Sequence, residues 1–349
     1  MKSMLKGSVL LVALAALFYL PHRMAAGPGF PGSPAPGGSS LSDGAGLTDR
    51  GAINVPLAVL WSEPGRKREH DELILRENGD PAAWAGGMDG SMRLWLVGKV
   101  ETMAVYGEPV VILERSGDWL KVAVQTQKTS LNEKGYPGWV PAAQVAAESA
   151  VFLEELEKLP CVVVTGKSAP LYADAGLTKP LAMLCYQTRL PLLGESGRAV
   201  TVRLPGGGTG YLAPGDVKRA DALAFTRDGI VNEARKFLGL PYLWGGTSSY
   251  GFDCSGFVMR LYQSQGISIP RDADEQATEG FAVEKDGLLP GDLVFYAAKG
   301  GSGQIHHVGM YIGNGLMIHS PNSSSAVRIE AIDGGDYGGE FWGARRYAP

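Results

Sequence analysis

Tyr242-Leu-Trp244-Gly-Gly, followed a few residues on by Phe252-Asp253-Cys254-Ser255-Gly256-Phe257, is the stretch on which the reading of this chain turns. A cysteine sits between an acidic and a small polar residue, just ahead of a helical pattern. Phe257, Val258, Leu261 and Tyr262 fall at the offsets of one helix face, and Gly266 supplies a stop. Cys254 therefore belongs at or beside a helix N-terminus. Unpaired backbone N–H groups and the positive end of the helix dipole favour a thiolate there, so a lowered thiol pKa is expected. Such a thiol is the working part of a cysteine nucleophile, provided that a base is in reach. A free cysteine is more commonly an inert buried thiol, so its surroundings must decide.

Of five histidines in the chain, three lie in one later segment, Gln304-Ile-His306-His307-Val-Gly-Met-Tyr-Ile-Gly-Asn-Gly-Leu-Met-Ile-His319. The segment reads as two short apolar strands around Gly313-Asn314-Gly315. A loop of odd length, or a compensating bulge, puts His307 and His319 on one sheet face in diagonal positions roughly 7–8 Å apart at Cα. One imidazole can then face the thiol while the other orients it, the division of labour in a catalytic triad. Zinc is the competing use of three histidines. Adjacent strand residues point to opposite faces, so His306 and His307 should not converge on one ion. No H-E-x-x-H motif or cysteine pair completes a site. Neither a metal nor another cofactor is expected.

Taken together, the D-C-S-G-F block, the upstream Y-L-W-G-G, the run Leu289-Pro-Gly-Asp-Leu-Val-Phe295 and the H-V-G-M-Y-I-G…I-H pair resemble the NlpC-type, papain-like cysteine peptidases of bacterial cell walls. The resemblance covers about the last third of the chain. It implies Cys254 as nucleophile, His307 as base and His319 as third member, with His306 a neighbour. Asp253 would face substrate, although a helix cap is its plainer use. Tyr242 and Trp244 would line the cleft, or else serve as ordinary aromatic core. Ser255 is either a hydrogen-bond donor to substrate or a helix-start residue.

Members of this family with preceding SH3-like barrels cut between γ-D-glutamate and the diamino acid of peptidoglycan stem peptides. In them a barrel Glu and Tyr join the Asp before the nucleophile in a pocket for the free N-terminal amine of L-alanine. Matched by strand, these fall on Glu101 and Tyr136, beside Asp253. Two converging carboxylates repel unless a cation lies between them, which suits an ammonium group. Otherwise Glu101 is a solvated strand residue and Tyr136 a barrel-closing aromatic. One departure is Ala273, in Pro270-Arg-Asp-Ala-Asp-Glu-Gln276, where related enzymes often carry a serine that touches substrate.

The N-terminal two thirds supply context. Lys2 and Lys6 precede an apolar run over 8–20, too short for the roughly 20 residues that span a bilayer. With Met24-Ala-Ala26 after it, residues 1–26 read as a secretory signal peptide, an uncleaved anchor being the alternative and the one route to a membrane. Residues 27–50, rich in Gly, Pro and Ser, read as a disordered linker. Export to the periplasm or cell wall follows. Short β-type runs then recur twice. Runs at 110–113, 119–124 and 135–140 are echoed at 188–193, 199–203 and 209–212, each set closing on G-Y. Two unequal SH3-like barrels, 51–148 and 149–222, are expected ahead of a catalytic domain over 223–349. That domain reads as helices first, near 230–238, 254–263 and 272–280, then an antiparallel sheet, an α+β arrangement.

With 32 basic against 36 acidic residues and no basic stripe with interleaved aromatics, nucleic acid is not an expected partner. Cys161 and Cys185 are either a disulfide, which export permits, or two buried thiols. Two other functions stay open. A wall-binding protein with a silent catalytic domain is at odds with an intact Cys-His-His set. A papain-like acyltransferase on lipid would need exposed apolar surface near Cys254.

Overall fold

In a computed structural model the described residues are 49–65, 67–147 and 149–349. The expected signal peptide and all but the last two residues of the expected linker lie outside them.

The first sheet comprises β1 (Arg50–Ile53), β2 (Leu57–Trp61), β3 (Val100–Val105), β4 (Pro109–Ser116), β5 (Trp119–Val124), β6 (Tyr136–Pro141) and β7 (Val145–Ala146), in the spatial order β3-β2-β6-β5-β4-β1-β7. The second comprises β8 (Cys161–Val164), β9 (Ser168–Tyr172), β10 (Pro180–Cys185), β11 (Arg189–Glu195), β12 (Val200–Arg203), β13 (Thr209–Leu212) and β14 (Val217–Arg219), in the order β10-β9-β13-β12-β11-β8-β14. Counted from its own first strand, the second order repeats the first. The runs read from sequence are β4, β5 and β6, echoed as β11, β12 and β13.

Three short helices between β2 and β3 were not legible in sequence: α1 (Glu72–Leu75), α2 (Pro81–Gly86) and α3 (Gly90–Leu94). Their core is Trp84, fully buried, whose indole N–H donates to Asp71 Oδ1 at 2.9 Å while Arg68 neutralises that carboxylate. Between the two sheets, α4 (Ala150–Lys158) buries Phe152 and Leu153 in a core shared with Ala52 of β1 and Leu190 of β11.

The C-terminal part opens with α5 (Arg227–Arg235), capped by Thr226 Oγ1 accepting from the Gly229 N–H, with Ile230, Val231 and Ala234 buried as their spacing requires. A two-stranded ribbon, β15 (Thr247–Ser248) and β16 (Gly251–Phe252), leads into α6 (Cys254–Gln263). Ser255 through Tyr262 are buried on every side of α6, so this helix is the centre of the domain rather than its surface. Gly266, at φ +76°, follows its end as expected. A four-residue helix, α7 (Ala273–Gln276), is all that forms in the stretch expected over 272–280.

Six antiparallel strands follow: β17 (Phe281–Val283), β18 (Leu293–Ala297), β19 (Ile305–Gly313), β20 (Leu316–His319), β21 (Arg328–Ala331) and β22 (Phe341–Arg346), ordered β17-β22-β18-β19-β20-β21. Val308 and Met310 of β19 share a core with Phe257, Val258 and Leu261 of α6. The expected α+β arrangement is thus present, with the sheet packed on the cysteine-bearing helix. Cys161 and Cys185 are free buried thiols, one in β8 and one in β10, so of the two readings the disulfide falls.

Candidate active site

Local chemistry fixes where Cys254 sits. Asp253 is the N-cap of α6, its Oδ1 accepting from the Gly256 N–H at 2.7 Å. Gly256 has no room for a side chain, because a Cβ there would lie 2.2 Å from the Gly246 carbonyl oxygen. The Gly-Gly of the upstream motif therefore lies directly against the helix start. Ser320, next to His319, donates its hydroxyl to the Phe252 carbonyl at 2.8 Å, tying the histidine strand to the residue two before the cysteine. The Val308 N–H lies against the Cys254 sulfur.

The two histidines meet as their spacing requires. The turn between β19 and β20 places Asn314 and Gly315 at positive φ (55° and 70°), and the register slips by one residue between Tyr311 and Gly313. That slip keeps His307 and His319 on one face, with their ring nitrogens His307 Nε2 and His319 Nδ1 2.8 Å apart. His307 is also stacked flat on Tyr337, with ring centroids 4.0 Å apart and planes 4° from parallel. Tyr337 is itself pinned by its hydroxyl to the Pro321 carbonyl. His306 points elsewhere, half-exposed and 2.9 Å from Glu340.

One expectation is overturned. The Cys254 thiol is not acidified but pushed up to about 12. Burial dominates: the residue keeps some solvent access, yet protein crowds the sulfur, and the Asp253 carboxylate adds to the effect. The Val308 and Ser255 N–H groups and Arg271 act the other way without prevailing. His307 is held well below its usual range, first by burial and then by its histidine neighbours. His319 is pushed down to about 3 by burial and by Arg328. At neutral pH the pair therefore rests as thiol and neutral imidazole, and a thiolate forms only as its proton moves to a base.

Around this centre the structure gathers the other residues singled out in sequence. Tyr242 is buried, close enough for charge on Cys254 and Asp253 to bear on its hydroxyl. Trp244 donates its indole N–H to the Val100 carbonyl at 2.9 Å, which sets it beside Glu101 on β3. Burial raises the pKa of Glu101, partly offset by Lys121, and among the described residues Glu101 makes no hydrogen bond or ion pair. Tyr136 lies within electrostatic reach of Glu101 but spends its hydroxyl on Asp272 Oδ2, at 2.9 Å.

Asp253 takes its plainer use as the helix cap. Its carboxylate is also clamped by Arg271, at 2.6 Å and 3.1 Å, so part of its charge is met inside the protein. Arg271 also donates to Ser255 Oγ (2.9 Å) and to Thr102 Oγ1 of β3 (3.0 Å), so the Ser255 hydroxyl is engaged too. Arg271, Asp272, Thr102 and Tyr337 are the neighbours that sequence reasoning missed. Arg271 and Asp272 stand in the stretch already quoted for Ala273, and the adjacent Arg-Asp pair was the available signal.

A cysteine on a buried helix, set against a sheet that carries a coupled histidine pair, defines a papain-like cysteine hydrolase. Comparison with known proteins narrows this. Residues 239–346 match the NlpC/P60 family and residues 164–219 the YKFC SH3b2 domain. A gamma-D-glutamyl-L-lysine dipeptidyl-peptidase of Bacillus cereus is 41% identical over 85% of this chain and 90% of its own length. One of the same name from Bacillus subtilis is 32% identical over 83% and 96%. A crystal structure of an NlpC/P60 family protein from Bacillus cereus superposes with a TM-score of 0.82 at 40% identity, covering 86% of this chain and all of that one. The chain belongs to the NlpC/P60 family, and it is a cysteine peptidase with an SH3b domain.

Proposed function

We propose that this enzyme hydrolyses the bond between γ-D-glutamate and the diamino acid in peptidoglycan stem peptides whose N-terminal L-alanine is free. Cys254 is the nucleophile, His307 the base and His319 the residue that orients it. The observation that carries the assignment is the 2.8 Å contact of His307 with His319 on the strand packed against the Cys254 helix. As the sulfur attacks the carbonyl, its proton passes to His307, which later protonates the departing amine. Backbone N–H groups at the start of α6 are available to the oxyanion; the Gly256 N–H is not, since Asp253 occupies it.

Substrate choice rests on Glu101, a half-dry carboxylate without a partner, walled by Tyr136 and Trp244. A partly buried carboxylate that makes no hydrogen bond or ion pair among the described residues favours an ammonium group over a capped amide. The names of the two Bacillus relatives, peptidases that act at γ-D-glutamyl-L-lysine and release dipeptides, support both the bond and the free end. We further read the first sheet as a second SH3-like barrel, because its strand order repeats that of the matched one. Boundaries near 148 and 222 and export directed by residues 1–26 belong to the same reading.

The test is digestion of L-Ala-γ-D-Glu-L-Lys by the purified enzyme, with products identified by mass. Cleavage should yield free lysine and the dipeptide, and Cys254→Ala and His307→Ala should give neither while remaining folded. Equal cleavage of the N-acetylated tripeptide would remove the free-amine pocket from the account. Parental activity in Cys254→Ala would remove the catalytic assignment.

A further inference from the structure

The histidine pair leaves one polar atom unexplained. His319 Nε2 is buried and makes no hydrogen bond in line. It lies 3.1 Å from Glu330 Oε2, close enough in distance but not aligned. Glu330 reaches it diagonally, since in the β20–β21 ladder His319 stands opposite Arg328 and Met317 opposite Glu330.

Glu330 is held in place from two sides. Arg328 donates to both of its oxygens, at 3.2–3.4 Å, and is itself bound to Ser325 and near Asp336. On the other side Gly335, at φ +61°, leaves the space that the carboxylate fills, because a Cβ there would meet Glu330 Oε1 at 1.9 Å. The same turn delivers Tyr337 to the face of His307. The segment 328–337 thus backs both rings at once.

A neutral imidazole carries one proton on one of two nitrogens, and the partner of the second nitrogen decides which. If His319 carries it on Nε2, its Nδ1 is an acceptor and must receive the Nε2–H of His307. His307 Nδ1 is then bare and can take a proton from sulfur. With the opposite tautomer, His307 Nε2 is the acceptor, Nδ1 keeps its hydrogen, and no base faces the thiol. We propose that Glu330 is a positioning residue that holds the proton on His319 Nε2, and so keeps His307 in the tautomer able to act as base. This rests on the reading of Cys254 and His307 as nucleophile and base. One proton moves in the step, from the Cys254 sulfur to His307 Nδ1; those on His319 and Glu330 stay where they are.

Partners one shell behind a working histidine typically alter its function tenfold or more, so Glu330→Ala should lower kcat about tenfold with KM nearly unchanged. Glu330→Gln keeps an oxygen that can accept from Nε2–H and should recover most of the loss. Nitrogen-15 NMR of labelled histidine should show His319 as the Nε2–H tautomer in the parent and a mixture in Glu330→Ala. Gly335→Ala, which displaces the carboxylate without removing it, should act in the same direction and serves if Glu330→Ala does not fold. Parental kcat and an unchanged tautomer in these variants would overturn the proposal. An inactive Cys254→Ala beside a fully active Glu330→Ala would remove Glu330 alone, whereas an active Cys254→Ala would remove the triad beneath it.

Discussion

The two seven-stranded sheets share a strand order but not a use. In the first, β3 is buried along most of its length and faces the catalytic domain. Trp244 bonds the Val100 carbonyl, Arg271 bonds Thr102, and Thr247 bonds the Met103 carbonyl. Its counterpart in the second sheet, β10, is exposed over its first half. There the catalytic domain is met by Tyr186, whose hydroxyl donates to Glu233, and by the Thr165 carbonyl, which accepts from Lys236. The same connectivity thus builds a wall of the cleft once and a buttress behind α5 once. Topology says nothing about which; the side chains of one strand decide it.

The comparison breaks most violently at Glu108, in the turn between β3 and β4, which anchors the first sheet to α6. Arg260, buried in the helix, meets its carboxylate through both terminal nitrogens at 3.0 Å and 2.9 Å. The Val105 N–H and the Thr126 hydroxyl complete the site. Removing one partner of such a pair strands the other charge in the interior. Glu108→Ala should therefore cost about 3–5 kcal/mol, read by denaturant unfolding. A loss under 1 kcal/mol would mean that the first sheet is no better anchored than the second.

Glu101→Gln sharpens the same contrast without touching the anchor. It keeps the shape of the pocket and removes the charge, so KM for the free-amine tripeptide should rise about tenfold, or 1.4 kcal/mol. The turnover number and the rate of Cys254 alkylation should not change. A fall in kcat at constant KM would place Glu101 in the chemistry instead.

How far the sequence led depends on the range over which each feature is set. The α6 helix, the shared face of His307 and His319, and three strands of each seven-stranded sheet (β4–β6 and β11–β13) were legible because periodicity and turn residues are local signals. The three helices around Trp84 were not, since each spans six residues or fewer and carries no period. Arg271 escaped for another reason. Its partners Asp253 and Ser255 lie 18 and 16 positions away, and Thr102 lies 169 away, reached only through the packing of β3 on the catalytic domain. The acidity of Cys254 was misjudged because a helix N-terminus is visible in sequence and burial is not. The dipole and its N–H groups are present, and desolvation outweighs them.

A smaller effect should appear with pH. Burial pushes Asp272 up to about 6, eased by Arg271 and by the hydrogen bond from Tyr136, and it raises Glu101 too. Asp272 therefore takes up its proton just below neutrality, and Glu101 does so at a higher pH than an ordinary glutamate, so negative charge is lost around the cleft as pH falls. Burial and its histidine neighbours hold His307 well below the usual imidazole range, so it resists protonation more than an ordinary histidine does. KM for the free-amine peptide should rise about threefold between pH 7 and 5 while kcat holds nearly level. Loss of kcat with constant KM would show that the histidine titrates first.

The smallest effect belongs to the buttress. Tyr186 is buried, its ring edge-on to Phe237 with centroids 4.9 Å apart, and its hydroxyl 3.1 Å from Glu233 Oε2. Tyr186→Phe keeps the ring and loses only that hydrogen bond. Glu233 retains Lys236, 2.6 Å from its other oxygen, so no charge is stranded. The loss should lie at the low end for a buried hydrogen bond, about 0.5 kcal/mol, read from the shift in the denaturant midpoint. Among the described residues Tyr186 makes no hydrogen bond or ring contact with Glu101, Tyr136 or the histidines, so kcat and KM should match the parent. A KM raised several-fold in Tyr186→Phe would show that α5 transmits strain to the cleft. The second sheet would then shape substrate binding as the first does, and the difference between the two would be one of degree.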